Sequence, residues 1–158
     1  MTRSEIEDKL AALGLRLPEP VAPIANYVPW LITGSQVWIS GQVSLTADGD
    51  LITGQVGDDG LSVDEAIDAA RHCAVNILAQ LSQALEGDMH RIVRLVRLNG
   101  FVNAGAGFTH HPKVINGASD LMVACLGDAG KHTRIAVGAS SLPLDAAVEV
   151  DAVFEVTT

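Results

Sequence analysis

The chain reads as an α+β domain in which a mixed β-sheet carries two main helices on one face, with a further helix added at the N-terminus. Three observations predict this. From Ser62 to Leu85 the apolar residues Val63, Ile67, Ala70, Ala74, Ile77, Leu78, Leu81 and Leu85 form one stripe at helical spacing. In the last segment Val148, Val150, Ala152, Phe154 and Val156 alternate with Glu149, Asp151 and Glu155, the period-two pattern of a strand with one buried face. The order of elements is strand pair, helix, strand, helix, strand pair, which fits a sandwich with both helices on one sheet face. At 158 residues the chain supports one core and is too short for two comfortable ones, so a single domain spanning 1–158 is expected.

Taken in order, a first helix is expected from about Ser4 to Leu13, with Ile6, Leu10 and Leu13 at helical spacing, Ser4 as cap and Gly14 as stop. Leu17-Pro18-Glu19-Pro20-Val21-Ala22-Pro23 is too rich in proline for a helix or a central strand, so residues 1–23 read as a helix plus an extended surface tether. Val28 to Thr33 and Val37 to Ser40 flank Gly34-Ser35, a tight hairpin signal. Asp48-Gly49-Asp50 marks a turn, and Gly54, Gly57 and Gly60 an irregular loop. The long helix then begins at a capping box, Ser62 with Glu65, and ends at Gly87. Arg91 to Val102 carries apolar residues on both faces, which suggests a central strand buried on each side. Phe108 to Leu126 reads as a loop and a second helix burying Val114, Leu121, Met122 and Cys125. Strands near Arg134–Ala139 and Ala147–Val156 complete the sheet. If helices cover one face, the other needs a partner. Val93, Leu95, Phe101 and Val153 are the candidates for that side, and self-association is the physical expectation.

Composition narrows the function classes. The chain is 48% hydrophobic, yet no apolar run approaches the roughly 20 residues that cross a bilayer. Its charged start, Met1-Thr2-Arg3-Ser4-Glu5, lacks the apolar segment of a signal peptide, so a cytoplasmic location with no membrane partner is expected. Cys73 and Cys125 lie in apolar stretches without metal-ligand spacing and read as small core residues. A net charge of −9, from 10 basic and 19 acidic residues, disfavours nucleic acid as a partner. Arg91, Arg94 and Arg97 are the one local basic cluster, and their spacing splits them between two strand faces. His110, His111 and His132 show no metal-binding pattern, and no metal is expected. Ser40, Ser140 and Ser141 lack a nucleophile elbow.

Three stretches, in order and at matching separations, carry a resemblance: Tyr27 with the tripeptide Ser40-Gly41-Gln42; the helix segment Ala74-Val75-Asn76-Ile77-Leu78; and Arg134 through Leu142-Pro143 to Val148-Glu149-Val150. On these the chain resembles the RidA family, also known as YjgF/YER057c/UK114, over nearly its whole length, in a branch with a longer N-terminus. The resemblance implies a chorismate-mutase-like fold, a homotrimer with one site in each cleft between neighbours, and metal-free, cofactor-free hydrolysis of enamine and imine intermediates to 2-oxo acids and ammonia.

Matched residue by residue, Arg134 would bind the substrate carboxylate through its planar fork, and Glu149 would shuttle protons to a positioned water. Tyr27 would line the pocket, and Ser40 and Gly41 would add hydroxyl or backbone contacts. Asn116 resembles a pocket asparagine, although an insertion before it loosens the match. Each has a plainer reading: Arg134 as a surface residue paired with Asp128 or Asp145, Glu149 as the wet face of its strand, Tyr27 as packing, and Ser40-Gly41 as a bulge. His132, two residues before Arg134, would sit at the pocket mouth. Two other functions stay open: a non-catalytic protein that binds a small carboxylate, which needs Arg134 but not Glu149, and a ribonuclease or translation inhibitor, which needs a basic track the sequence lacks.

Overall fold

The computed structural model describes residues 1–20 and 26–158. Its elements are α1 (Arg3–Ala12), β1 (Trp30–Thr33), β2 (Gln36–Val43), α2 (Val63–Ala84), β3 (Ile92–Asn103), α3 (His111–Leu126), β4 (Thr133–Ala139) and β5 (Val148–Val156), with short 3₁₀ turns at Met89–Arg91, Gly127–Gly130 and Pro143–Asp145. The five strands form one sheet in the order β1-β2-β5-β3-β4. All neighbours are antiparallel except β3 and β4, which run parallel because α3 carries the chain back along the sheet. The α+β sandwich expected from the sequence is therefore present. The segment from Arg91 to Val102 is an interior strand as expected, flanked by β5 and β4, but it is not buried on both faces, since Val93 and Arg94 are exposed.

The core lies between the sheet and the helices α2 and α3. Val148, Val150, Ala152, Phe154 and Val156 all face it, each at most 2% exposed. Alanine and glycine let the layers approach closely. A Cβ on Gly117 of α3 would overlap the carbonyl oxygen of Ile67 on α2, and a Cβ on Gly100 of β3 would crowd Ile115 of α3 at 2.6 Å. The helix α2 begins at the expected capping box, with the Ser62 hydroxyl and the Glu65 side chain each bonding the other's backbone N–H. The cap of helix α1 lies two residues earlier than expected: it is Thr2, not Ser4, with Glu5 as reciprocal partner. It docks through fully buried Ile6 and Leu10, and Lys9 Nζ donates to Cys125 O at 2.8 Å near the end of α3, where a cation suits the helix terminus. Of the proline-rich tether, positions 21–23 lie outside the described residues.

Two expectations about the open sheet face change. Leu95 pairs with Phe154 and is 1% exposed, so it belongs to the core. Irregularities in the β3–β5 register at Ile92/Arg94 and Leu95/Arg97 reset the strand phase. Arg94 then pairs with Glu155 and Arg97 with Val153, both on the open face, instead of being split across the sheet. That face also carries Leu31, Trp38 and Ile135, which are 57%, 50% and 41% exposed. Among the described residues no helix is long and apolar enough to cross a membrane.

Candidate functional site

Glu149 lies near the start of β5, opposite Val43 on β2 and Phe101 on β3. Three features hold it there. The buried Ser44 hydroxyl donates to Ile52 O at 2.8 Å and accepts from Val148 N–H at 3.4 Å. Asn103, also buried, donates to Asp145 Oδ1 at 3.1 Å and Ala146 O at 3.2 Å. That bracing supports a turn in which Leu144 and Asp145 both take left-handed backbone angles, φ +58° and +57°, unfavourable for residues with a Cβ. Finally, β2 is irregular between Ile39 and Gln42, and the bulge brings Gly41 beneath the Glu149 carboxylate. A Cβ at Gly41 would overlap Glu149 Oε1, so only glycine leaves room for this side-chain position. Ser40, beside it, donates from its hydroxyl to Val28 O at 2.7 Å and from its N–H to Pro29 O at 2.9 Å, tethering the segment that carries Tyr27. Tyr27 itself is 55% exposed.

The Glu149 carboxyl is half-buried, and desolvation followed by the neighbouring charge of Asp151 raises its pKa above the ordinary 4.5. Asp151 is raised by burial too, against the hydrogen bond from Asn99 Nδ2 at 2.7 Å and the nearby Arg97. Arg97 in turn donates to Asn99 Oδ1 at 2.8 Å. A polar row of Arg97, Asn99 and Asp151 thus runs across the open face next to Glu149.

Arg134 sits elsewhere. Its partner in the parallel register is Leu98, on the helix-covered side of the sheet, whereas Glu149 shares its row with Phe101 and Val137 on the open side. Arg134 Nη1 donates to Ser119 Oγ at 3.0 Å and Nη2 donates to Pro112 O at 3.3 Å, both on α3. Ser119 also contacts His132 Nε2 at 3.0 Å, and His132 Nδ1 lies 2.6 Å from Gly130 O. Burial, and then Arg134, lower the pKa of His132 below 6.5, while its bond to Gly130 works the other way. Asp128 pairs with Lys131 at 2.8 Å and Asp145 accepts from Asn103, so neither of the two carboxylates that could have neutralised Arg134 does so. Among the described residues Arg134 has no ion-pair partner. Asn116 is exposed on α3 between Pro112 and Ser119 in the helical repeat, on the stripe that Arg134 meets.

One chain therefore assembles two groups. Glu149, Gly41, Ser40 and Tyr27 belong to the open face and its adjoining hairpin; Arg134 and Asn116 belong to the edge strand β4 and α3. Sequence reasoning passed over Ser119, Ser44 and Asn103. For Ser119 a signal existed, since it lies three residues after Asn116 and seven after Pro112 on one helix stripe. Asn76 proves structural, donating to Val43 O and Leu45 O at 3.3 and 2.9 Å and so tying α2 to the end of β2. Both thiols are unsuited to nucleophilic work: burial pushes Cys73 well above its ordinary value and Cys125 up to about 11. No three His, Cys, Asp or Glu side chains among the described residues are grouped to hold a metal ion. A cavity of about 770 Å³ opens between residues 54–60 and 105–110, but neither Arg134 nor Glu149 lines it.

Residues 7–156 match the family model described as "YjgF/chorismate_mutase-like, putative endoribonuclease". Protein TCP17 of Trypanosoma cruzi is 46% identical over 147 residues, covering 92% of this chain and 91% of its own. A protein of unknown function from Agrobacterium tumefaciens superposes with a TM-score of 0.91 at 45% identity, over 98% of this chain and 94% of the other. RidA from an Antarctic Psychrobacter species shares the fold, with a TM-score of 0.56 at 18% identity, over 87% of this chain and 94% of its own. With its sheet order, paired helices and nearly full-length match, the chain belongs to the YjgF/RidA family of chorismate-mutase-like proteins.

Proposed function

We propose that the protein hydrolyses reactive enamine or imine intermediates that bear a carboxylate, giving 2-oxo acids and ammonia, at sites completed between copies of the chain in a homotrimer. The observation that carries the reading is Arg134: a half-buried guanidinium held by two neutral oxygens and met by no carboxylate of the described chain. Such a fork suits a small carboxylate. Glu149 supports the second half of the reading. A carboxyl whose pKa is raised by burial holds a proton closer to neutrality, so it can protonate the imine and then accept a proton from the attacking water. In the overall reaction water adds across the C=N carbon, the C–N bond breaks, and ammonia leaves with its proton. Because Arg134 and Glu149 lie on opposite faces within one chain, a common cleft requires Arg134 of one copy to meet Glu149 of another.

The same separation favours a second reading, a carboxylate-binding protein that uses the Arg134 group alone. Release of ammonia and 2-oxo acid from imines generated in situ separates the two. Turnover by the wild type that is abolished in Arg134→Ala and at least tenfold slower in Glu149→Gln supports catalysis. A wild-type rate equal to the buffer blank removes it and leaves the binding reading.

A further inference from the structure

We infer that Ser119 and His132 are positioning residues that hold the Arg134 guanidinium in the orientation that receives a substrate carboxylate. The inference rests on the reading of Arg134 as the carboxylate anchor. It starts from hydrogen-bond directions. Gly130 O can only accept, so at 2.6 Å the proton of His132 resides on Nδ1. The neutral ring then presents a lone pair at Nε2, and the Ser119 hydroxyl at 3.0 Å must donate to it. With its hydrogen committed, Ser119 Oγ turns its lone pairs outward and accepts from Arg134 Nη1 at 3.0 Å. Every polar atom from the Gly130 backbone to the guanidinium thereby has one role, and the direction of the series is fixed at its backbone end.

The charged surroundings agree. On β4 the charge nearest His132 is Arg134 itself. In the Gly127–Gly130 turn and the residue after it, Asp128 and Lys131 neutralise each other, and both are exposed. On α3 the neighbouring Asp120 is exposed and pairs with neither group. Burial and the adjoining guanidinium keep His132 neutral at pH 7, the form the series requires. Donor counting shows what this leaves. Of five guanidinium N–H groups, one goes to Ser119 and one to Pro112 O, leaving Nε–H and one N–H on each Nη for an incoming carboxylate. Without the Ser119 hydroxyl, a long side chain on an edge strand regains rotamer freedom, and the fork is no longer pre-formed.

The test uses two readouts on the full chain. In ¹⁵N NMR at pH 7, His132 should be neutral with its proton on Nδ1, and the Arg134 Nε–H resonance should be sharp. Ser119→Ala should broaden the Arg134 signal, while Ser119→Thr, which keeps the hydroxyl, should preserve it. An Arg134 signal indifferent to Ser119→Ala overturns the inference. Calorimetric titration with 2-oxobutyrate gives the second readout. Ser119→Ala and His132→Phe should each weaken binding by about fivefold, roughly one hydrogen bond's net worth, with Ser119→Thr close to wild type. If Arg134→Ala loses binding while Ser119→Ala and His132→Phe bind as wild type, positioning is overturned and the anchor stands. If Arg134→Ala itself binds 2-oxobutyrate normally, both fall.

Discussion

A half-buried carboxyl flanked by another acid holds its proton more tightly in the folded chain than in the unfolded one. For Glu149 the sign is therefore a stability cost that is absent below the ordinary value of 4.5 and grows as pH rises through its raised folded value. Glu149→Gln should melt at a higher temperature than wild type at pH 7, with the gap closing toward pH 4; an unchanged gap across that range would mean that burial does not tune this group. Gly41→Ala probes the same carboxylate from below. The added methyl must displace Glu149, so turnover should fall more than tenfold while circular dichroism stays native. Arg134, Glu149 and the Ser40-Gly41 step could be nominated from the sequence because their spacing along the chain is a pattern, but their placement on opposite sides of the sheet could not. The work of Ser119, His132, Ser44 and Asn103 was not, because it depends on hydrogen-bond directions between segments far apart in sequence.

Among the elements, all three helices and the five strands were legible: the helices and β5 bury one stripe or one face and so write a period into the sequence, while β1 and β2 were marked by the Gly34-Ser35 turn between them. The capping box of α2 is worth testing by itself. Ser62→Ala should cost about 1 kcal/mol in urea unfolding, because Glu65 N–H loses the hydroxyl that accepts from it and only the Glu65 carboxylate's half of the box remains. The bulges in β3 left no such trace, unlike the one that Gly41 marks in β2. The irregularities in β3 make simple alternation fail there: Leu95 turns to the core while Arg94 and Arg97 share the open face. Likewise the choice of Thr2 over Ser4 as the cap of α1 rests on which residue finds its glutamate three positions on, and both sequences of the pair look acceptable until Glu5 is seen bonding Thr2.

At the scale of the whole molecule, the open face combines exposed Leu31, Trp38 and Ile135 with a polar row linked by two hydrogen bonds, Arg97 to Asn99 and Asn99 to Asp151. A second copy that covers this face has to offer acceptors to the remaining guanidinium N–H groups of Arg97, which among the described residues donates through Nε–H alone. If that face is the contact, Trp38→Glu should lower the mass seen by light scattering toward that of a single chain, with the helical signal kept because Trp38 is half exposed in the isolated fold. Self-association was an expectation from the apolar residues alone, whereas the composition of the face depended on strand register. The separation of Arg134 from Glu149 across the sheet has one consequence in genetics. If the proposed sites form between copies of the chain, two defective alleles, Arg134→Ala and Glu149→Gln, should complement when co-expressed, because a mixed assembly would pair an intact arginine from one chain with an intact glutamate from its neighbour.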